Sequence, residues 1–458
     1  MRVTEYLLRR IKIIVSSDRY KELKLGVSQK LYNDAKKVIP GGTQLLSKRP
    51  EMYAPNIWPA YYSEAKGVKV KDLDGREYID MSTMSVGACI LGYADDDVDY
   101  AVQEAIKKGI NSSLNCPEEV ELANLMLELH PWFDMIRYAR SGGEAMSIAV
   151  RIARAHNKRE KVLFSGYHGW CDWYISSNIA DKSSLDGQLM PGLEPDGIPR
   201  GLQNTAIPFN AGDIDELKSK VVKYKDQISS IVIEPARGID ADDSYLKSLN
   251  EFAHEIGAVV IYDEITSAMR LCPGGIHRIY DTKPDMAVYA KSISNGYAMS
   301  IIAGSSKVME SAQDTFISST NWTERIGPVA AITTIKKYIN NNVQDHLINM
   351  GEKVRNIWQT AAQRNKIEIS TSGISSLQSF GFNSSDVNKY NSIFVSEMLL
   401  KNFLAFRQFK PSFAHQNEHL ESYENAVNEV FSLISNLKDE DLVNIPEAHS
   451  GFYRLTKE

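Results

Sequence analysis

Ala258-Val259-Val260-Ile261-Tyr262-Asp263-Glu264-Ile265 decides the fold. An unbroken apolar run passes straight into an acid, the pattern of a strand buried on both faces that ends in a carboxylate. Comparable short runs lie to either side: Ile136 to Ala139, Lys161 to Phe164, Ile231 to Ile233 and Met286 to Ala290. Between them, Glu144 to Ala155 and Asp215 to Tyr224 carry apolar residues at helical spacing. Strands alternating with helices predict an α/β domain built on a mostly parallel sheet.

Outward from this block the pattern changes. Val27 to Val38 predicts a short helix stopped at Pro40-Gly41-Gly42, and Gly67 to Gly75 alternates apolar and polar residues before an Asp-Gly turn, a hairpin signal. Pro328 to Ile339 and Val343 to Gln363 read as helices, followed by one or two strands. The expected organisation is a large α/β domain over residues 86–325, with a smaller α+β domain assembled from 1–85 and 326–458.

Composition narrows the function. Lys and Arg total 52 against 58 Asp and Glu, so the chain offers no general field for nucleic acid. Cys89, Cys116, Cys171 and Cys272 are far apart, with no C-x-x-C pair and no His at zinc spacing, so no metal site is expected and a reducing, cytoplasmic setting is. Tyr6 to Val15 is interrupted by Arg9, Arg10 and Lys12, which breaks any signal-peptide core, and no run approaches the length of a membrane span.

Ligands of open α/β sheets collect beyond the carboxyl ends of the strands. The run ending at Ala139 leads to Arg140-Ser141-Gly142-Gly143-Glu144, where glycines at a helix start suit an anion. The run ending at Phe164 leads to Tyr167-His168-Gly169, an aromatic able to stack on a flat ring. Glu234-Pro235 and Asp263-Glu264 place carboxylates at two more ends, where a buried charge needs a partner. Lys291 follows the last run, where desolvation disfavours its ammonium form. Each signal alone has an ordinary alternative: a tight turn, a packing Tyr, a helix cap, a snorkelling Lys. Together they supply a phosphate cradle, a ring stacker, a ring-nitrogen acid and an imine-forming amine.

With these residues in place the chain resembles the class III aminotransferases of fold type I, and most closely the glutamate-1-semialdehyde aminomutase branch. The matches are Ser141-Gly142-Gly143-Glu144-Ala145, Tyr167-His168-Gly169, Glu234-Pro235, Asp263-Glu264-Ile265 and Lys291. The resemblance implies pyridoxal 5'-phosphate held by Lys291 as a Schiff base, with Asp263 on the ring nitrogen and Tyr167 and Ile265 on the ring faces. It places Ser141, Gly142 and Gly143 at the phosphate, and His168 and Glu234 in the cofactor pocket. Thr323 would reach the phosphate from the neighbouring subunit, which implies a homodimer with a composite site.

Departures from the branch concern the substrate. Leu45 and Lys48 stand where that branch places Ser and Arg, Ile239 replaces an Asn, Ile326-Gly327 replaces Gly-Asn before Pro328, and Arg407 replaces an acid. Arg407, Lys48 and Arg49 are candidates to grip a carboxylate or phosphate. The expected activity is transfer of an amino group between an amine or amino acid and a carbonyl compound. An intramolecular aminomutase and a racemase or epimerase use the same cofactor. A non-catalytic binding module is opposed by the filling of every matched catalytic position.

Overall fold

In chain order, the alternating stretch forms an antiparallel ribbon: β1 (Tyr62–Lys66), β2 (Lys69–Asp72) and β3 (Glu77–Met81). Its turn is set by Asp72, whose Oδ1 accepts the N–H groups of Asp74 (2.8 Å) and Arg76 (2.9 Å), while Gly75 takes a left-handed φ of 83°. The computed structural model describes Leu23 and residues 26–188, 191–236, 243–442 and 445–451.

The central runs become one seven-stranded sheet: β4 (Met135–Ala139), β5 (Lys161–Ser165), β6 (Ala206–Pro208), β7 (Ile228–Ile233), β8 (Val259–Asp263), β9 (Met286–Tyr289) and β10 (Ser300–Gly304). Their order is β4-β10-β9-β8-β7-β5-β6. β7 to β10 are buried along their whole length, which explains their unbroken hydrophobicity. Only β10 runs antiparallel to its neighbours. The link from Tyr289 to Ser300 is shorter than the dozen or so residues that a parallel crossover needs, so the chain must turn back. The carboxyl ends of β4, β5, β7, β8 and β9 therefore share one edge.

The described chain divides into two compact units. One takes residues 87–91 and 95–346, and the other takes 92–94, the residues before 87 and those from 347 onward. The sequence reading ends the large unit at 325. In the structure the helix Ile326–Asn340 stays with the large unit, because it packs on the helices Asp96–Lys107 and Glu118–Leu129 and buries Ala330, Ala331, Ile335 and Tyr338.

The second unit extends its ribbon with β13 (Phe403–Ala405), parallel to β3. It also holds an antiparallel sheet of β11 (Ile369–Ser372), β12 (Gln378–Phe382) and β14 (Gln408–Phe409). An aromatic core of Trp358, Phe380, Phe394 and Phe431 joins these to the helices Val343–Asn365, Val387–Leu399 and Asn417–Ile434. No helix among the described residues is long and apolar enough to cross a membrane.

One contact in this unit leaves no room for a side chain. A Cβ on Gly351 would stand 1.6 Å from the Ser375 carbonyl oxygen, a backbone atom that cannot rotate away. Gly351→Ala should lower unfolding stability by about 2–3 kcal/mol, the cost of overpacking. Urea denaturation measures it, and an unchanged midpoint would contradict the contact.

Candidate active site

β8 delivers Asp263 to the shared edge with its side chain only 2% exposed. Oδ1 accepts the N–H of Ile265 at 3.0 Å, and Oδ2 lies 2.8 Å from Nδ1 of His168, which is also buried. His168 Nε2 lies 3.1 Å from the Ser165 carbonyl oxygen. A carbonyl only accepts, so Nε2 carries a hydrogen. Burial pushes the Asp263 carboxyl above the ordinary carboxylate range, and buried Glu234 adds to that; the His168 contact opposes it. Asp263 is thus a buried acid whose side-chain partner is the His168 ring.

Glu234, just beyond β7, uses Oε2 to accept the N–H of Tyr167 at 2.9 Å. Gly166 makes this approach possible. It has a φ of 110°, and a Cβ there would stand 2.7 Å from Glu234 Oε2. Gln188 closes the same turn by accepting the Gly166 N–H at 2.7 Å. The sequence reading missed Gln188, because the chain reversal that brings it there has no local signature.

After β4, the helix Gly142–Asn157 begins at the same edge. Glu144 reaches back to accept the N–H of Ser141 at 3.0 Å, and the Ser141 carbonyl accepts the Ser300 hydroxyl at 3.1 Å. The N–H groups of the first turn lack intrahelical acceptors and carry the positive end of the helix dipole. Around them the space is filled to the Cα atoms. A Cβ on Gly142 would lie 2.9 Å from Ile265 Cδ1, and one on Gly169 would lie 3.1 Å from the Gly143 Cα. This is a cradle in which backbone, not side chain, can meet an anion.

Lys291 directly follows Ala290 at the end of β9 and takes a left-handed φ of 50°. For a residue with a Cβ this is a strained conformation that surrounding structure must hold. Its Nζ lies 2.8 Å from Thr266 Oγ1, a residue the sequence reading did not single out. A hydroxyl residue in a loop gives no hint by itself of which side chain it will meet.

Thr323 ends the short turn Thr320–Thr323, exposed, with its hydroxyl donating to the Thr320 carbonyl at 3.1 Å. Arg140 fastens this turn beside the Ser141 loop: Nη2 donates to the carbonyls of Trp322 (3.0 Å) and Glu324 (2.8 Å), and Nε pairs with Glu324 at 2.8 Å.

Arg407, Lys48 and Arg49 belong to the other unit. Arg407 lies between β13 and β14 with its guanidinium 5.5 Å from the Phe406 ring centroid, and burial lowers its pKa. No acidic side chain pairs with it among the described residues. Lys48 is exposed in the turn Leu46–Lys48, and Arg49 rests its guanidinium on Gly41. Ile239 lies outside the described residues. No cluster of three or more His, Cys, Asp or Glu side chains suited to a metal occurs among the described residues.

The site fits a flat, phosphorylated, basic heterocycle: an amide cradle at Gly142 and Gly143 for the phosphate, Ile265 against that cradle, and the buried Asp263 carboxyl at the same sheet edge. The family described as aminotransferase class-III matches residues 52–390. The 3-aminobutyryl-CoA aminotransferase of Cloacimonas acidaminovorans is 32% identical over 72% of this chain and 78% of its own length. The glutamate-1-semialdehyde 2,1-aminomutase of Francisella tularensis subsp. tularensis is 31% identical over 71% and 76%. Among solved structures, the FumI protein of Sphingopyxis sp. MTA144 in its PLP internal aldimine form superimposes with a TM-score of 0.82 over 92% of this chain and 99% of that one, at 21% identity.

Because burial raises the Asp263 pKa, the folded state binds that proton more tightly than the unfolded chain does. The cofactor-free protein should lose stability from this group as pH rises above about 4. Asp263→Asn removes the ionisation. In cofactor-free protein its melting temperature should gain on the wild type as pH is raised from about 4 to 8. A gap that narrows with rising pH would contradict the assignment.

Proposed function

This chain belongs to the class III aminotransferases of fold type I, enzymes that use pyridoxal phosphate, and on that premise we propose that Lys291 is its covalent and proton-transferring amine. The observation that carries the reading is the gathering of Lys291, Asp263 with His168, and the Gly142-Gly143 cradle at one edge of one sheet. When bound, pyridoxal phosphate supplies a ring that accepts the electron pair left by a departing proton.

Lys291 would bond reversibly to the cofactor's aldehyde carbon and be released when a substrate amine takes its place. Its Nζ would then be free to act as a base toward the substrate Cα and to return that proton. Asp263 would keep the ring nitrogen protonated, its own charge balanced in turn by that nitrogen. Tyr167 and Ile265 would cover the ring faces, while Ser141, Gly142 and Gly143 hold the phosphate. Glu234 fixes the turn that presents Tyr167.

We also infer a homodimer in which Thr323 serves the neighbouring subunit's phosphate. Support comes from the exposed position of Thr323 and from exposed Trp170 (71%) beside Gly143. Four cysteines without disulfides suit a cytoplasmic setting. Arg407 would grip an acidic group of the substrate, supported by a part-buried guanidinium that pairs with no carboxylate among the described residues. Lys48 and Arg49 are weaker candidates for the same task, since Arg49 already packs on Gly41.

The donor half-reaction tests the reading. With glutamate or alanine the loaded enzyme should convert to its amine form and release an oxo acid; an intramolecular mutase would need no donor, and a racemase would release no carbonyl product. Lys291→Ala should lower turnover by at least about a thousandfold, within the range for losing a general base. Full activity in that variant would refute the assignment. Arg407→Gln should raise KM for acidic substrates by about tenfold, the scale of a charge-assisted hydrogen bond, with kcat little changed. Unchanged KM for every acidic substrate would remove Arg407 from the site.

A further inference from the structure

We propose that Thr266 is a positioning residue for Lys291: its hydroxyl holds the ε-amine in place through both of the protonation states that the reaction requires. The inference rests on the role of Lys291 as the covalent, proton-transferring amine.

The contact is direct, with Lys291 Nζ 2.8 Å from Thr266 Oγ1. Both partners are presented from braced backbone. The turn that carries Thr266 is closed at its start by the Ile265 N–H on Asp263 Oδ1 (3.0 Å) and across its length by the Ala268 N–H on the Glu264 carbonyl (2.8 Å). Ser292, next to Lys291, donates its hydroxyl to the Ala268 carbonyl at 2.8 Å. The turn after β8 and the turn after β9 are thus joined twice, once through the backbone carbonyl of Ala268 and once through the lysine itself.

The choice of a hydroxyl has a chemical consequence. It accepts a hydrogen bond from an ammonium and can either accept from or donate to a neutral amine. A carboxylate in its place only accepts and favours the ammonium, which would disable the base. An apolar residue would remove this contact with the amine. A hydroxyl on a β-branched side chain with few rotamers fixes position without fixing charge.

Three variants test this. Mix cofactor-free protein with pyridoxal phosphate and reduce timed samples with borohydride. In this capture step the Nζ lone pair adds to the aldehyde carbon, and the oxygen leaves as water with both amine hydrogens. Borohydride then delivers hydride to that carbon, water protonates the nitrogen, and peptide mass reports the adduct on Lys291. Thr266→Val should slow capture by about tenfold and lower kcat by about tenfold with KM for the amine substrate unchanged, the scale of one lost hydrogen bond to a charged group. Thr266→Ser, which keeps the hydroxyl, should stay within about threefold of wild type on both measures. Should the valine variant fail to fold, Thr266→Ala carries the same expectation.

Wild-type rates in the valine or alanine variant would overturn the proposal. A serine variant as slow as the valine variant would overturn it too, because the methyl packing would then matter and the hydroxyl would not. A wild-type protein that forms no adduct on Lys291 would instead overturn the role of Lys291, and this inference with it. The wild-type sample alone shows that outcome.

Discussion

A carboxylate buried at the end of a central strand is the constraint around which the large unit is arranged. Asp263 cannot be left with its charge unbalanced, because burying an ion without compensation costs several kcal/mol. The structure answers with the Ile265 amide on one oxygen and the His168 ring on the other. His168 is itself anchored by the Ser165 carbonyl, so the imidazole cannot swing away from the acid. On the proposed reading, a protonated ring nitrogen would be a further partner for this acid.

The surroundings accept strain to keep that arrangement. Lys291 sits in a left-handed conformation that a side chain normally avoids, and Gly166 adopts one so that Glu234 can press against its Cα. Gly142 and Gly169 give up side chains so that backbone can line the cradle. These choices lower intrinsic stability, and the wholly buried strands β7 to β10 and the helix Gly142–Asn157 supply the packing that offsets them. The antiparallel β10 belongs to the same logic: a short return after Lys291 sets the next strand beside β9 and holds the lysine turn between two paired strands.

The second unit has a separate core, built on aromatics that meet edge-on or tilted and a buried Trp358 whose Nε1 donates to the Tyr423 hydroxyl at 2.9 Å. Its site candidates are long cations rather than precisely buried acids. Arg407 is the one that physical chemistry marks out, since it is partly withdrawn from water, lies beside the Phe406 ring and pairs with no acidic side chain among the described residues. On the proposed reading, substrate choice and cofactor chemistry would fall to separate groups of residues.

Local pattern alone determined a good deal of this protein. Short β-branched apolar runs such as Val259 to Ile261 favour a buried strand. The residues just past those runs, Ser141, Tyr167, Glu234, Asp263 and Lys291, were legible as a group because strand ends fall at one edge. Tertiary structure decided the rest. The helix Ile326–Asn340 reads like any apolar helix, and only its packing on two earlier helices assigns it to the large unit. His168 and Asp263 are 95 residues apart, and Lys291 and Thr266 are 25 apart. Periodicity reports which face a side chain takes, whereas a hydrogen bond between two loops depends on where the whole sheet has carried their ends.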